Sequence, residues 1–277
     1  MVKLKSFIKG TYLSFMLLFL YAPIAVLMVF SFNGSRTMGK WDGFSLKWYE
    51  ALFNNSNIMD ALVTTLLVAV LSALAATVMG TFAAIGIHSM KKGRRMLVEN
   101  VSQLPMINPD LVTGISLMML FYFIRLGQGG TWSFVRLFLA HTAFNLPYVI
   151  FSVMPKLKQS SNMLYEAAMD LGCTPFKALT KVIIPDIMPG IVSGFILAFT
   201  LSLDDFVVSY FCQQGKNNLS MYIYSVARTK GVQPEINALS TIMFLVVLTL
   251  LLITNLKSLK EERQAALQQK KVSAKVH

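Results

Sequence analysis

Charged residues are scarce in this chain of 277 residues, where Asp, Glu, Lys and Arg together make up 14%. A typical soluble domain contains about 25% of them. Cysteine is rarer still, since Cys173 and Cys212 are the only two, and no pair of Cys or His residues has the spacing of a zinc site. The phosphate-binding loop G-x-x-x-x-G-K-[ST] is absent as well. These absences argue against a metal site and against a chain that itself binds or hydrolyses ATP, and no residue pattern suggests a catalytic group.

Hydrophobic residues are abundant instead, at 55% of the chain, and the mean hydropathy is positive. This composition is typical of a membrane protein. Six stretches reach the length of about 20 apolar residues that a spanning helix needs, so we predict an all-α protein with six transmembrane helices. The first stretch is too long for a signal peptide and no cleavage site follows it, so we expect it to remain as a span. The predicted spans are 12–32, 61–87, 101–124, 131–153, 191–211 and 238–256.

The positive charges are sorted by segment, which predicts the orientation of the chain. The net charge is +12, and most basic residues fall at the N-terminus, in the second and fourth connections and in the C-terminal tail. The positive-inside rule then places the N-terminus 1–11, the loop at about 156–189 and the tail 257–277 in the cytoplasm, around a six-span domain at 12–256. Because the charges form no single patch, we expect no nucleic-acid partner. We expect the tail to be a solvated charged helix or a disordered end.

The loop at 156–189 is polar although it lies between two apolar spans. Asn162 can cap a short helix, Gly172 is placed to end that helix, and Thr174-Pro175 can begin a second one. The pattern therefore predicts two short helices joined by a sharp turn at the membrane surface. Capping signals alone do not distinguish this arrangement from an ordinary amphipathic linker.

A motif in this loop favours a coupling function. Glu166-Ala167-Ala168, then Gly172, then Ile184-Pro185, resembles the E-A-A loop of ATP-binding-cassette importer permeases, with Ile184 where leucine is usual. The resemblance implies a coupling helix that docks on a separate ATPase subunit. It also implies the type I (MetI-like) permease fold and a transport subunit that is not itself an enzyme. The residues that it assigns to ATPase coupling are Glu166, Ala167, Ala168, Asp170, Gly172, Pro175 and Pro185.

Three acidic residues lie inside apolar spans, namely Asp110, Asp204 and Asp205. An ionised Asp near the bilayer centre costs about 2.5–3.5 kcal/mol on insertion scales, and no basic residue lies well inside a span to pair with it. These carboxylates therefore need an aqueous cavity, a partner chain or a cationic ligand, which predicts a pathway for a positively charged solute. The alternative is a structural role through hydrogen bonds to hydroxyl groups. At the spacing of one helix, Asp205 and Ser209 share a face, and Asp204 shares the neighbouring face with Thr200.

Several segments around these aspartates are similar to the spermidine/putrescine importer permeases, and the resemblance covers nearly the whole chain. It is strongest to the second of the two permease subunits in that system. The segments are Ser31-Phe32-Asn33, Trp48-Tyr49, Pro109-Asp110, the run from Phe199 to Ser209, the run from Ile223 to Ala227 and the run from Gly231 to Ala238.

This resemblance implies a multi-pass subunit in the bacterial inner membrane. Its expected partners are the lipid bilayer, a second homologous permease, two ATPase subunits and a periplasmic polyamine-binding protein. No cofactor is expected in this chain, because ATP and magnesium would bind to the ATPase. The expected pathway residues are Asp110, Thr200, Asp204, Asp205 and Ser209.

The predicted function is thus the import of polyamines by alternating access through a carboxylate-lined cavity. Two alternatives stay open at the level of sequence. One is an ATP-driven permease for another solute, such as ferric iron, thiamine or a sugar, and the other is a channel that needs no ATPase. The sequence does not separate spermidine from putrescine, nor does it tell which of the adjacent residues Asp204 and Asp205 faces the pathway.

Overall fold

The computed structural model of the chain describes residues 2–36, 40–126, 130–160, 162–213, 215, 218–231, 233–249, 251–252 and 256. Regular structure in these residues is helical, and one isolated β-bridge pairs Asn33 with Phe44. The predicted tail 257–277 lies outside the described residues. The helices are α1 Val2–Ser31, α2 Lys47–Asn54, α3 Ser56–His88, α4 Lys92–Ile107, α5 Asp110–Phe123, α6 Gly130–Gln159, α7 Asn162–Asp170, α8 Pro175–Asp186, α9 Met188–Asp204, α10 Val207–Cys212, α11 Leu219–Lys230 and α12 Pro234–Thr249.

Three of the helical segments are long and apolar enough to cross a membrane on their own, namely Gly10–Ser31, Ser56–His88 and Trp132–Gln159. Two bent pairs also qualify when each is taken as one span, which gives up to five candidate spans in the part of the chain that the structure describes. The apolar helix α12 is shorter and lies in the sixth predicted stretch. The structure therefore confirms an all-helical fold in the described residues, with several segments long and apolar enough to span a membrane.

The third and fifth predicted spans are broken helices. The axes of α4 and α5 differ by 100° across Asn108-Pro109, where proline lacks a backbone N–H and disfavours helix in the residue before it. The fifth span, 191–211, was expected to be one helix, and this expectation is wrong because α9 ends at Asp204 and α10 begins at Val207. A further bend of 69° separates α8 from α9. These breaks decide where the acidic side chains lie.

The chain divides into two compact units, and the first consists of residues 1–59 and 223–277. In this unit, segments separated in sequence meet just after α1. The Trp48 indole donates a 2.7 Å hydrogen bond to the Asn33 carbonyl, and the Tyr49 hydroxyl lies 2.8 Å from the Ser31 hydroxyl. Phe32 packs against the Tyr49 ring with centroids 5.3 Å apart. The two motifs Ser31-Phe32-Asn33 and Trp48-Tyr49 thus form one hydrogen-bonded corner.

The second unit, residues 60–222, has its core where α3, α6 and α9 pack together. Small residues make this close approach possible. Ala73, Ala76 and Ala84 of α3 are fully buried. A Cβ atom placed on Gly80 would lie only 2.7 Å from the Cγ1 atom of the buried, β-branched Val149 of α6. Only glycine fits at this crossing without moving the neighbouring helix.

Candidate functional site

The break between α9 and α10 is stabilised by the side chain of Asp205. This residue has an extended backbone (φ −60°, ψ 125°), and its two carboxylate oxygens accept the backbone N–H groups of Val208 at 3.1 Å and Ser209 at 2.8 Å. These N–H groups belong to the first turn of α10 and have no partner within that helix. Asp205 therefore caps α10 through its side chain.

The cap is joined to a buried histidine. The Nε2 atom of His141, on α6, lies 3.0 Å from the Ser209 hydroxyl and 3.4 Å from a carboxylate oxygen of Asp205. Its Nδ1 atom contacts the Ser202 hydroxyl of α9, and that hydroxyl lies 3.1 Å from the Ser72 hydroxyl of α3. His141 is thus a hydrogen-bonded packing residue that connects three long helices.

Asn218 closes this polar network from the other side. Its amide nitrogen donates to the Ser209 hydroxyl at 2.7 Å and to the Asp205 carbonyl at 3.2 Å, while its amide oxygen accepts the Met221 N–H at 3.0 Å. The void beside the network admits no water molecule. In this conformation the polar atoms of Asp205 and Ser209 are used within the network, where they stabilise the break between the two helices.

Asp204 and Asp110 have different surroundings. Both side chains are exposed, and their carboxylates are close enough to interact electrostatically. Asp110 also interacts with the hydroxyl of Tyr148 on α6. The turn after Pro109 places Asp110 in the first turn of α5, where the positive end of the helix dipole favours a carboxylate. The structure therefore brings an accessible acidic pair and a tyrosine together from α5, α6 and α9.

Of the five predicted pathway residues, the structure brings Asp110 and Asp204 together and places Asp205 and Ser209 in the buried network. Thr200 is half-buried one turn before Asp204, and its hydroxyl donates to the Ile196 carbonyl of the same helix at 2.8 Å. The sequence reasoning assumed one continuous helix and so missed the capping role of Asp205. A signal was present, because an Asp three or four residues before the N–H groups of a helix start is a typical cap.

The loop between α6 and α9 has the structure that the sequence predicts. Gly172 has a φ of +82°, and its N–H donates to the Met169 carbonyl at 2.9 Å. The Cys173 N–H donates to the Ala168 carbonyl at 3.0 Å, which completes a Schellman motif at the end of α7. Thr174 then caps α8 through its hydroxyl, which accepts the Lys177 N–H. The cap predicted for Asn162 depends on a side chain outside the described part of the chain.

Most of the predicted coupling residues are accessible on this loop. Ala168 is buried against its own turn, whereas the other six are exposed. Large apolar side chains are exposed beside them, with Leu171 at 87% and Phe176 at 71%. Apolar side chains exposed next to charged ones on a surface loop are typical of a protein-binding surface. The loop therefore has the accessibility that docking requires. The exposed coupling residues are Glu166, Ala167, Asp170, Gly172, Pro175 and Pro185.

A cluster of ion pairs lies where this loop leaves α6. Glu99 of α4 accepts from Lys158, in the last turn of α6, at 3.0 Å and from Arg95 at 3.1 Å. The Glu99 side chain is largely buried, so this pair is better shielded from solvent than an isolated surface pair. Through it the base of the loop is attached to α4, the helix that leads into Asp110.

The helical fold, the acidic pair and the exposed loop between α6 and α9 fit a transport permease of the binding-protein-dependent type. Residues 76–257 match the family described as "Binding-protein-dependent transport system inner membrane component", and the chain belongs to this family. It is 38% identical to the spermidine/putrescine transport system permease protein PotC of Escherichia coli (strain K12), over 90% of this chain and 93% of that protein. It is also 38% identical to the putrescine transport system permease protein PotI of the same strain, over 81% of each chain.

A solved structure has the same fold. It belongs to a bacterial ABC transporter involved in the import of the acidic polysaccharide alginate, with a TM-score of 0.68 and 12% identity, over 92% of this chain and 96% of the other. At this identity the likeness concerns the fold alone. The type I permease architecture expected from the loop motif is thereby supported by a comparison that does not depend on sequence.

Proposed function

We propose that this chain is a transmembrane permease subunit of an ATP-driven importer of polyamines. The observation that carries the proposal is the accessible pair Asp110 and Asp204, two carboxylates that interact with each other and lie on largely apolar helices. Two close carboxylates repel, so a cation between them is favoured, and a polyamine supplies ammonium groups joined by an apolar chain. Relatives with 38% identity are named as spermidine/putrescine and putrescine permeases, which points to the same solute class.

Within this proposal, Asp110 and Asp204 bind ammonium groups of the solute, and Tyr148 adds its ring face or hydroxyl beside them. Thr200 lines the next turn of α9. Asp205 and Ser209 take a supporting role, because their polar atoms are already used in the buried network with His141. Of the two adjacent aspartates, we thus assign the solute contact to Asp204.

The proposed assembly contains a second homologous permease, two ATPase subunits and a periplasmic polyamine-binding protein, in the inner membrane of a bacterium. The family description names dependence on a binding protein, which supports that partner. The sequence has no phosphate-binding loop of its own, so ATP and magnesium would bind to the ATPase subunits. The proposed topology keeps six spans with both termini and the coupling loop in the cytoplasm, as the distribution of basic residues predicts.

The proposed mechanism is alternating access. When the ATPase subunits close on ATP, they would pull α7 and α8, which continue directly into α6 and α9. Because α9 ends at Asp204, a tilt of this helix moves the acidic pair, and the cavity would open outward to accept the solute. Hydrolysis would return the helices and release the solute inward. The residues of this chain bind and position the solute, and the chemistry of hydrolysis belongs to the partner.

Uptake by the complete transporter tests the function. Liposomes that contain the whole complex and enclose ATP should accumulate labelled spermidine or putrescine when the binding protein is supplied outside. Unlabelled polyamines should compete, whereas ferric iron, thiamine and maltose should not. Accumulation without ATP would indicate a channel, and competition by one of the other solutes would replace the assigned cargo.

The ion-pair cluster gives a smaller predicted effect on coupling. Glu99→Lys should reduce ATP-dependent uptake about two- to fivefold, since a partly shielded ion pair contributes at most about 1 kcal/mol. The double variant Glu99→Lys with Lys158→Glu should recover most of the loss, because it restores opposite charges between α4 and α6. Asp42→Lys breaks a comparable pair with Lys40, at 3.3 Å and well exposed, and should have no effect. If the double variant imports no faster than Glu99→Lys, the ion pair between α4 and α6 does not contribute to coupling.

A further inference from the structure

A second polar site lies away from the acidic pair, in a cavity of about 960 Å³ near the start of α6. Two arginines line it. Arg136 is on α6, and Arg125 follows the end of α5 in a left-handed conformation with φ of 50°. No acidic side chain lines this cavity in the described part of the chain. The site therefore carries a local excess of positive charge, which the polyamine pathway does not require.

Arg136 is the unusual member of the site. The residue is 5% exposed, and its Nε and Nη2 atoms are buried with no hydrogen-bond partner among the described residues. A buried guanidinium with unsatisfied N–H groups is costly, because the charge has lost water and gained no anion. The side chain thus lacks a negatively charged, hydrogen-bond-accepting ligand. Planar, forked N–H groups fit the oxygens of a carboxylate or a phosphate.

The position of Arg136 along α6 indicates the depth in the membrane at which this ligand binds. Arg136 lies 22 residues before Lys158, and at about 1.5 Å per residue the two are about 33 Å apart along the helix. The hydrocarbon core of a bilayer is about 30 Å thick, so the ends of this segment reach opposite interfaces. Trp132 lies one turn before Arg136 and is half exposed, as is typical of the interfacial aromatic belt. Arg136 is therefore at the depth of the lipid phosphate groups on the side opposite the coupling loop.

The remaining walls of the cavity are apolar. Met119, Tyr122 and Phe123 of α5 line it and are exposed, with Phe123 at 84%, and Phe211 of α10 completes the lining. A ligand that fits this site has an anionic group at one end and an apolar body at the other. We propose that the cavity binds an anionic membrane phospholipid, with its phosphate on Arg136 and Arg125 and an acyl chain along the apolar wall.

This site is distinct from the solute pathway. Its two arginines would repel a polyamine, whereas the acidic pair would repel a phosphate. A bound lipid would compensate the charge of Arg136 and fill the space between α5 and α10. Helix α10 begins just after the break at Asp205 and α5 begins at Asp110, so the lipid would stabilise the part of the unit that holds the acidic pair. The inference uses the membrane orientation in the proposed function but not the identity of the cargo.

Three probes distinguish a phospholipid from its parts. The purified complete transporter is titrated in detergent with phosphatidylglycerol, with diacylglycerol of the same chains, and with inorganic phosphate. Binding is followed by native mass spectrometry and by thermal unfolding. Phosphatidylglycerol should be retained and should raise the unfolding temperature, whereas the other two should not. Arg136→Gln should weaken retention of this lipid about tenfold or more, because the charged hydrogen bonds to the phosphate are lost.

Control variants keep the result interpretable. Arg228→Gln removes an exposed cation outside the cavity and should retain the lipid as the unchanged protein does. Arg136→Lys keeps the charge, and Arg125→Gln changes an exposed side chain, so at least one cavity variant can be compared if Arg136→Gln does not fold. Both should weaken retention by a smaller factor. ATP-dependent uptake is measured separately, so a protein that binds the lipid without importing polyamine overturns the proposed function alone.

Three outcomes overturn the lipid assignment. Equal stabilisation by inorganic phosphate would make the cavity a site for a soluble anion. Equal retention of phosphatidylglycerol by the unchanged protein and by Arg136→Gln would remove the arginine from lipid binding. Loss of the second permease from the Arg136→Gln complex, with unchanged lipid content, would mean that a carboxylate of that partner binds the guanidinium.

Discussion

Replacement of Asp204 by Asn should remove most polyamine uptake while the transporter still assembles. The carboxylate of Asp204 is exposed, and it interacts electrostatically with Asp110, the other accessible acidic group of the proposed pathway, as well as with its neighbour Asp205. Asn preserves shape and loses the charge that an ammonium group needs. A charge-assisted hydrogen bond contributes about 1.5–3 kcal/mol, so the apparent affinity for the solute should fall about tenfold or more. Uptake of labelled spermidine at several concentrations measures this change as a raised KM.

The adjacent residue is the matched control. Asp205→Asn makes the same chemical change one residue later, where the carboxylate accepts two backbone N–H groups and lies beside His141. An amide offers one accepting oxygen in place of two, so this variant should lower the unfolding temperature and the yield of assembled complex. Asp204→Asn should therefore weaken solute binding, whereas Asp205→Asn should weaken the folded structure. Unchanged uptake in Asp204→Asn, or a raised KM in a fully stable Asp205→Asn, would reverse our assignment of the two aspartates.

The contrast between these aspartates illustrates what the sequence predicts and what it does not. Hydropathy over about 20 residues locates the long helices, because the need to satisfy backbone groups in lipid leaves little alternative. Proline marks the break before Asp110, because it lacks the backbone N–H that a continuous helix needs. The break at Asp205 carries no proline or glycine, and an apolar run continues on both sides of it. Helical spacing therefore grouped Asp205 with Ser209 correctly but gave no sign that the helix breaks at Asp205.

The buried network could not be derived from spacing at all. His141, Ser202 and Ser72 lie on three different helices, and the sequence gives the face of each helix but not which helices are adjacent. Arg136 raises the same difficulty. Its distance from the C-terminal end of α6 predicts an interfacial depth, whereas its burial and its unsatisfied N–H groups depend on how α5 and α10 pack against it. Tertiary contacts thus decide which polar residues are structural and which are available to ligands.

Replacement of Gly172 by Ala should reduce both uptake and solute-stimulated ATPase activity. Gly172 ends α7 with φ of +82°, a conformation that costs an L-amino acid with a Cβ atom about 1–2 kcal/mol. A Cβ atom at this position would meet nothing within 4 Å, so the chain itself has room for it and the cost is that of the backbone. The turn that aims α7 and α8 at the ATPase would then be populated about tenfold less. We expect a loss of similar size in uptake and in solute-stimulated ATPase activity.

The variant Gly172→Asn distinguishes two explanations for the effect of a side chain at this position. One is the backbone conformation of the turn, and the other is a collision with the ATPase. Because Asn adopts the left-handed conformation more readily than Ala, Gly172→Asn should retain more uptake than Gly172→Ala if the turn is what matters. If instead a side chain here collides with the ATPase, the larger Asn should be the more damaging of the two. Gly93→Ala is the control, since Gly93 lies inside α4, meets nothing within 4 Å and has no positive φ. That variant should import polyamine at the unchanged rate, because alanine is favoured over glycine within a helix.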